Sequence, residues 1–305
     1  MKKILVTGGA GFIGSNLIKS LIKYYNDCLI ISLDNYQSGS IENHLIDSKI
    51  IYLNGNTYDI LKIKEINEFD ADLVFHFGEF SRIFLSFEKV NDTFFSNTIG
   101  TQQVLEYCVE KKAKLIYSGS SAIFGNNLED QHLNPYCWTK AKNIELIKNY
   151  GNWFGLKYVI SYFYNVYGEN QISSGPYSTV IGIFERQFKL QQPLTVVYPG
   201  TQTRCFTSIH DIIDGLLLIA ENGEGDNFFI GTTDNVSILD IAKMFDTPYE
   251  FIPERKGERM FSLIKDSEIH KLGWKPRLNV REYIMDVRKK CKPSLQTLNL
   301  NLKQG

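Results

Sequence analysis

The stretch "ILVTGGAGFIGSNL", Ile4 to Leu17, limits the fold more than any other. It runs from a short apolar segment through a cluster of glycines into an amphipathic segment, which reads as strand, tight loop and helix. Gly9-x-Gly11-x-x-Gly14 fits the dinucleotide-binding spacing, and Gly8-x-x-Gly11-x-x-Gly14 fits a shifted variant. Glycine admits the tight turn, lets the backbone approach a pyrophosphate and lets the helix pack close on the strand. The helix N-terminus then offers free N–H groups and a partial positive charge. The second apolar run ends in Asp34, 20 residues after Gly14. A carboxylate there accepts from ribose hydroxyls, whereas a 2′-phosphate would favour a basic residue. A glycine turn with a surface aspartate is the plain alternative. The strand–loop–helix context favours a nucleotide site, with NAD as the expected cofactor.

Further strands are predicted at Leu29–Leu33, Ile50–Leu53, Leu73–Phe77, Leu115–Ser118 and Tyr158–Tyr162. Helices are predicted between them, at Phe12–Tyr25, Tyr58–Glu68, Asp92–Lys111 and Pro135–Phe154. Near-continuous apolar strands alternating with helices indicate an α/β chain with a doubly wound parallel sheet of the Rossmann type. After Asn165 the rhythm loosens into "YGENQISSGPYS", a helix (Thr179–Leu190), a strand (Leu194–Val197) and short mixed elements. The expected division is a nucleotide-binding domain over 1–165 and a smaller, less regular substrate domain over 166–305, with some segments crossing back to the sheet. The 305 residues suffice for either one large or two smaller domains. A formal net charge of −1 provides no field for nucleic acid or an anionic membrane. Five scattered cysteines, with no Cys-x-x-Cys and no metal-ligand spacing, read as reduced thiols of a cytoplasmic protein. No metal site and no membrane span are expected.

Tyr-x-x-x-Lys occurs three times, at Tyr58/Lys62, Tyr107/Lys111 and Tyr136/Lys140. In a parallel sheet the ligand lies beyond the carboxyl ends of the strands. Tyr107 is near the end of its predicted helix, at the opposite edge. Tyr58 follows the third strand, on the adenosine side. Tyr136 follows Asn134, a good N-cap, and Pro135, suited to a first helical position. It therefore opens a helix at the ligand edge, with Lys140 one turn on along the same face. A nearby ammonium favours phenolate, and a tyrosinate can take a proton from a hydroxyl as hydride leaves for a nicotinamide. Ser120 and Ser121, at the end of the fifth strand, can orient that hydroxyl.

With these segments in view, the chain resembles the extended short-chain dehydrogenase/reductases, in the branch of nucleotide-sugar epimerases and dehydratases. The likeness spans nearly the whole chain: the glycine loop, "YCWTK", "HFGE" where the family has His-Leu-Ala-Ala, "NTIGT", "YNVYG", "GTQTRCF", "ERKGER" and "KLGWKP". The resemblance implies Tyr136 as general base, Lys140 as its partner on the nicotinamide ribose, and Ser120 as the hydroxyl on the reacting oxygen. It implies NAD contacts from Gly8, Gly11, Phe12, Ile13, Gly14, Asp34, Asn35, Asn56, Thr57, Phe77 and Gly78. Asn56 stands where the family usually has an aspartate. Asn97 is expected to help order the site. Glu79, Ser121, Asn165, Arg204 and Arg255 are the candidate contacts to a nucleotide-sugar substrate, the arginines suiting a diphosphate. A homodimer is expected.

Departures from the family pattern narrow the reaction. The 4,6-dehydratases carry Asp-Glu directly after the Ser120 position, where this chain has Ser121 and Ala122. Dehydration is therefore not expected. Glu79 replaces a small residue; it can alter substrate fit, and the plainer reading is that it faces solvent or pairs with Arg82. Cys205 replaces an aspartate and reads as a packing substitution. His76 is expected to pack at a strand end and His210 to cap a helix. Oxidation at C4 of a nucleotide sugar then ends either in epimerisation or in release of the ketone. "HFGEFSRI" and "YSGSSAIFG" resemble the GDP-heptose 4-dehydrogenases of bacterial capsule synthesis, which favours release, with 4-epimerase as the alternative. A non-catalytic NAD-binding sensor on this fold would need no Ser120/Tyr136/Lys140 set.

Overall fold

The computed structural model describes residues 1–124, 133–255, 259–262 and 266–291. Strands β1 (Lys2–Thr7), β2 (Cys28–Asp34), β3 (Ile50–Asn54), β4 (Leu73–His76), β5 (Lys114–Ser120) and β6 (Tyr158–Phe163) follow the predicted runs. After them come β7 (Asn165–Tyr167), β8 (Leu194–Val197), β9 (Thr203–Ser208), β10 (Gly225–Ile230), β11 (Asn235–Ser237) and β12 (Tyr249–Ile252). Seven of these form a parallel sheet in the order β10-β6-β5-β4-β1-β2-β3. Both faces are covered, which explains the unbroken apolar strands. In β1, Leu5 joins one apolar layer with Ile31, Val74 and Leu115. Its neighbours Ile4 and Val6 join the other, with Ile30, Phe75 and Ile116.

Successive strands run outward from β1 to β3, and the chain then returns to place β4 on the other side of β1. That reversal opens a crevice at the carboxyl ends of β1 and β4, the usual ligand position in such a sheet. The crevice is narrow at its floor. Gly8 has φ +72°, and a Cβ there would lie 2.8 Å from the Gly78 nitrogen. Gly14 is in the first turn of the helix Phe12–Tyr24, where a Cβ would meet the Gly8 carbonyl at 2.2 Å.

Beyond β6 the chain builds two small sheets, β11-β9-β7 and β12-β8. Pairing of Asn165 with Phe206 places the start of β7 beside β9, which carries Arg204. The helix Ile209–Asn222 leaves β9 directly, joins the apolar layer around Ile4 and Phe75, and feeds β10 back into the main sheet.

Two helix expectations are corrected. Residues 58–68 form a 3-10 segment, Thr57–Lys62, and one short turn, Lys64–Asn67, in place of a continuous helix. Within the predicted helix 92–111, Phe95–Ile99 is a π-helical turn between Val90–Phe94 and Gly100–Lys111. The helix Pro135–Phe154 agrees with expectation, its Asn134 side chain accepting from the Cys137 amide at 2.8 Å.

Gly14→Ala is expected to destabilise the fold by about 1–3 kcal/mol through overpacking, and to weaken NAD binding by displacing the loop. Denaturant midpoints and a NAD titration check this. Unchanged values in both would show that the loop has room for a methyl group.

Candidate active site

Every candidate site residue lines one cleft of about 710 Å³ above the carboxyl ends of the sheet. Gly11 is the N-cap of the first helix and has no side chain to cap it, so the leading amides of that helix are left for a ligand. Asp34 is buried and accepts from the amides of Ala10 (2.9 Å) and Tyr36 (2.8 Å). Burial raises its pKa and these donors oppose the rise. With about four lone-pair sites, the carboxylate keeps acceptor capacity for a ribose hydroxyl. Asn35 donates to Asn56 at 2.9 Å, and Thr57 donates to the Gly78 carbonyl at 3.3 Å, closing the far wall. This cradle fits a dinucleotide: a glycine floor without room for a Cβ, free amides and an acidic ribose acceptor.

The three tyrosines separate cleanly. Tyr107 is fully buried in the core and donates to the Phe69 carbonyl, while Lys111 turns to Asp70 and Glu110. Tyr58 lines the cleft edge-on to Phe95, but Lys62 pairs with Asp59. Tyr136 is buried in the first turn of its helix, and both it and Ser120 line the cleft. Burial pushes its pKa well up. The neighbouring Ser120 hydroxyl and the charge of Arg82 lower it, while Cys137 and the charge of Glu79 raise it.

Glu79 corrects the plainer sequence reading. Its side chain is only 1% exposed, and its carboxylate faces neither solvent nor Arg82 but ion-pairs with Lys140. Lys140 also donates to the Ser118 carbonyl at 2.5 Å and lies 4.8 Å from the centre of the Tyr117 ring. The other oxygen of Glu79 accepts from Asn143 (2.9 Å), Tyr117 (3.0 Å) and Thr101 (3.3 Å). Arg82 instead donates to the carbonyls of Ser81 and Tyr177.

His76 extends this buried network, as a strand-end residue should. Its Nδ1 is 2.7 Å from the Thr7 hydroxyl and its Nε2 is 2.9 Å from that of Thr101. Since Thr101 donates to Glu79, the bond directions assign a proton to Nε2 and leave Nδ1 as an acceptor. Burial lowers the His76 pKa to about 4, with Glu79 opposing and Lys140 assisting. Asn97, turned inward by the π-helical turn, accepts from the Phe80 amide at 2.6 Å and donates to Thr139 at 3.1 Å.

At the other end of the cleft, Arg204 is buried and Arg255 is exposed. Arg259, also within "ERKGER" but not singled out from sequence, is buried and donates to Ser121 O (2.5 Å), Ser121 Oγ (3.4 Å) and Ser262 Oγ (3.1 Å). Burial, and then the nearby Arg204, lower its pKa to about 10. Cys205 is packed as expected, its thiol against the Ser262 carbonyl at 3.5 Å. His210 is not a cap: Ser208 caps the helix and His210 is exposed.

A profile of the "NAD dependent epimerase/dehydratase family" matches residues 4–231. The chain belongs to that family. A dTDP-D-glucose 4,6-dehydratase of Bos taurus is 28% identical, over 93% of this chain and 86% of the relative. The UDP-glucose 4-epimerase of Thermotoga maritima, solved with UDP-glucose, superposes with a TM-score of 0.85 at 26% identity, covering 97% of this chain and 99% of that one. The UDP-glucuronic acid 4-epimerase of Bacillus cereus, solved with UDP-glucuronic acid and NAD, superposes at 0.82 and 27%, covering 95% and 99%. As a member of this family the chain is NAD-dependent, and its Rossmann-type sheet matches those structures. None of the described helices is long and apolar enough to cross a membrane, and no cluster of metal-ligating side chains is present among the described residues.

Two measurements follow from this geometry. NAD should bind at least tenfold more tightly than NADP, about 1.4 kcal/mol or more, since a 2′-phosphate would meet Asp34; equal titration curves would contradict this. His76 has a folded pKa of about 4 against 6.5 unfolded, so its stabilising effect is complete above pH 6.5 and is lost as pH falls toward 4. The loss should be on the order of 3 kcal/mol. Urea unfolding at neutral and acid pH should show a shallower pH slope for His76→Gln than for the wild type.

Proposed function

We propose that this chain is a nucleotide-sugar 4-epimerase that acts through a 4-keto intermediate. The observation that carries this reading is that Tyr136 and Ser120 line the same cleft as the glycine cradle. Asp34 and Glu79 are the carboxylates lining the cleft among the described residues, and both are engaged: Asp34 by loop amides and Glu79 by Lys140. Among the described residues no further carboxylic acid lines the cleft to protonate a departing C6 hydroxyl, which argues against the dehydratase chemistry named for some relatives. The 4-epimerases that superpose on this chain support the alternative in which the ketone is retained.

In the proposed reaction, the amides at Gly11–Gly14 and the carboxylate of Asp34 hold the cofactor. NAD held there would supply a reversible acceptor for the C4 hydride. Ser120 holds the C4 oxygen, and Tyr136 takes the C4 hydroxyl proton as the C–H bond breaks. After the ketone turns over within the cleft, Tyr136 returns the proton to the same oxygen, so the net change is inversion at C4. Arg204 and Arg255 grip the diphosphate, with Arg259 supporting the Ser121 loop. The proximity of Arg204 to Arg259 supports an anion at this end. The segments beyond residue 166 supply this substrate wall.

A panel of UDP-, dTDP- and GDP-sugars in deuterated water tests the reading by product mass. A new isomer of unchanged mass is expected. Loss of two hydrogens, with a GDP-heptose as substrate, would replace the proposal with the 4-dehydrogenase reading, and loss of water would overturn both. On the active substrate, Tyr136→Phe should reduce turnover by about two to four orders of magnitude with NAD binding retained. Tyr58→Phe and Tyr107→Phe should leave turnover near normal. Near-normal turnover in Tyr136→Phe would remove Tyr136 as the base.

A further inference from the structure

The lysine beside Tyr136 does not stand there as a free cation. Its side chain is 4% exposed, and its ammonium is paired with the carboxylate of a side chain that is 1% exposed. Two such charges taken out of water together present little net field to their surroundings. The Glu79 side of the pair is built, not incidental: Asn143, Tyr117 and Thr101 all converge on the oxygen that Lys140 leaves free. Three residues along the same loop, Arg82 also lines the cleft. Its bonds run to two backbone carbonyls, and no carboxylate is within ion-pair distance of it among the described residues. A guanidinium stays charged in such surroundings and keeps its field.

We propose that Glu79 is a positioning residue that cancels the charge of Lys140, so that Arg82 becomes the cation acting on Tyr136. The chain has thereby moved the activating charge from the tyrosine's own helix to the loop after β4. The groups facing this pocket are consistent with the assignment. His76 on β4 is neutral near pH 7, Tyr117 on β5 donates to Glu79 as a phenol, the Cys137 thiol donates to the Ala122 carbonyl, and burial raises the pKa of Tyr177 beside Arg82. Of the two ionised side chains on this loop, Glu79 disfavours phenolate at Tyr136 and Arg82, which lines the same cleft, favours it.

This inference deepens the role proposed for Tyr136, but its test needs no substrate. NAD-loaded protein carrying carbon-13 at tyrosine Cζ is titrated by NMR, and the Tyr136 signal is identified by its loss in Tyr136→Phe. In the wild type the signal should remain that of a phenol far into the alkaline range. Glu79→Ala, which restores the family's small residue, should lower the midpoint by about one pH unit or more. Adding either Arg82→Gln or Lys140→Met to Glu79→Ala should raise it again by about one unit, because both cations are then uncancelled. Glu79→Gln provides the same comparison if the alanine variant does not fold. A midpoint unmoved or raised by loss of Glu79 would overturn the cancellation, and one indifferent to Arg82→Gln would overturn the role of Arg82. Neither result would touch the epimerase reading, which rests on product mass and on Tyr136→Phe.

Discussion

The side-by-side placement of β1 and β4 governs the rest of this structure. The chain leaves β1 toward the β3 edge of the sheet and then crosses back to place β4 on the other side of β1, so their carboxyl ends face a crevice at the point where the strand order reverses. Everything chemical gathers there. Gly8 presses against Gly78 across the junction, leaving only backbone on the floor. Thr7 and His76, paired in register at the two strand ends, bond to each other and carry the network onward to Thr101 and Glu79. β5 ends beside β4 and delivers Ser120. The next helix starts at the same edge and delivers Tyr136. A tyrosine at the far end of a crossover helix, such as Tyr107, is carried to the other side of the sheet and into the core.

Much of this was legible in the sequence because it depends on local rules. A glycine cluster between a strand and a helix has few uses. Asn134-Pro135 marks a helix start, so Tyr136 could be placed at the ligand edge from three consecutive residues. What was not legible depends on where side chains point across long sequence distances. Glu79 reads as a surface charge because four of its partners are 22 to 64 residues away and three of them are uncharged. Arg255 and Arg259 lie in one motif, and no local signal distinguishes the exposed one from the one buried on Ser121. The π-helical turn at Phe95–Ile99 has a helix-like apolar pattern. It is needed because Asn97 must reach both polar groups of Phe80, a demand set by tertiary contact.

The cost of burying Glu79 with Lys140 says something about what the pair is for. A buried ion pair repays its desolvation only when geometry is good and the remaining lone pairs are satisfied. Apolar residues of similar size would serve stability equally well, so stability alone does not account for the pair. The network does meet the conditions that make it tolerable. Both Glu79 oxygens are engaged, and Lys140 has a carbonyl and an aromatic face besides its carboxylate. Charge is thus distributed unevenly along one cleft. The end that holds Tyr136 contains a cancelled pair and Arg82, while the end that holds Ser121 draws Arg204, Arg255 and Arg259 into the same walls. An elongated substrate with an anionic diphosphate at one end and a neutral sugar at the other has only one favourable way to lie in such a field. Under the proposed function, that polarity, established by residues far apart in sequence, presents the sugar to Tyr136 and Ser120 without requiring a specific contact to each of its hydroxyls.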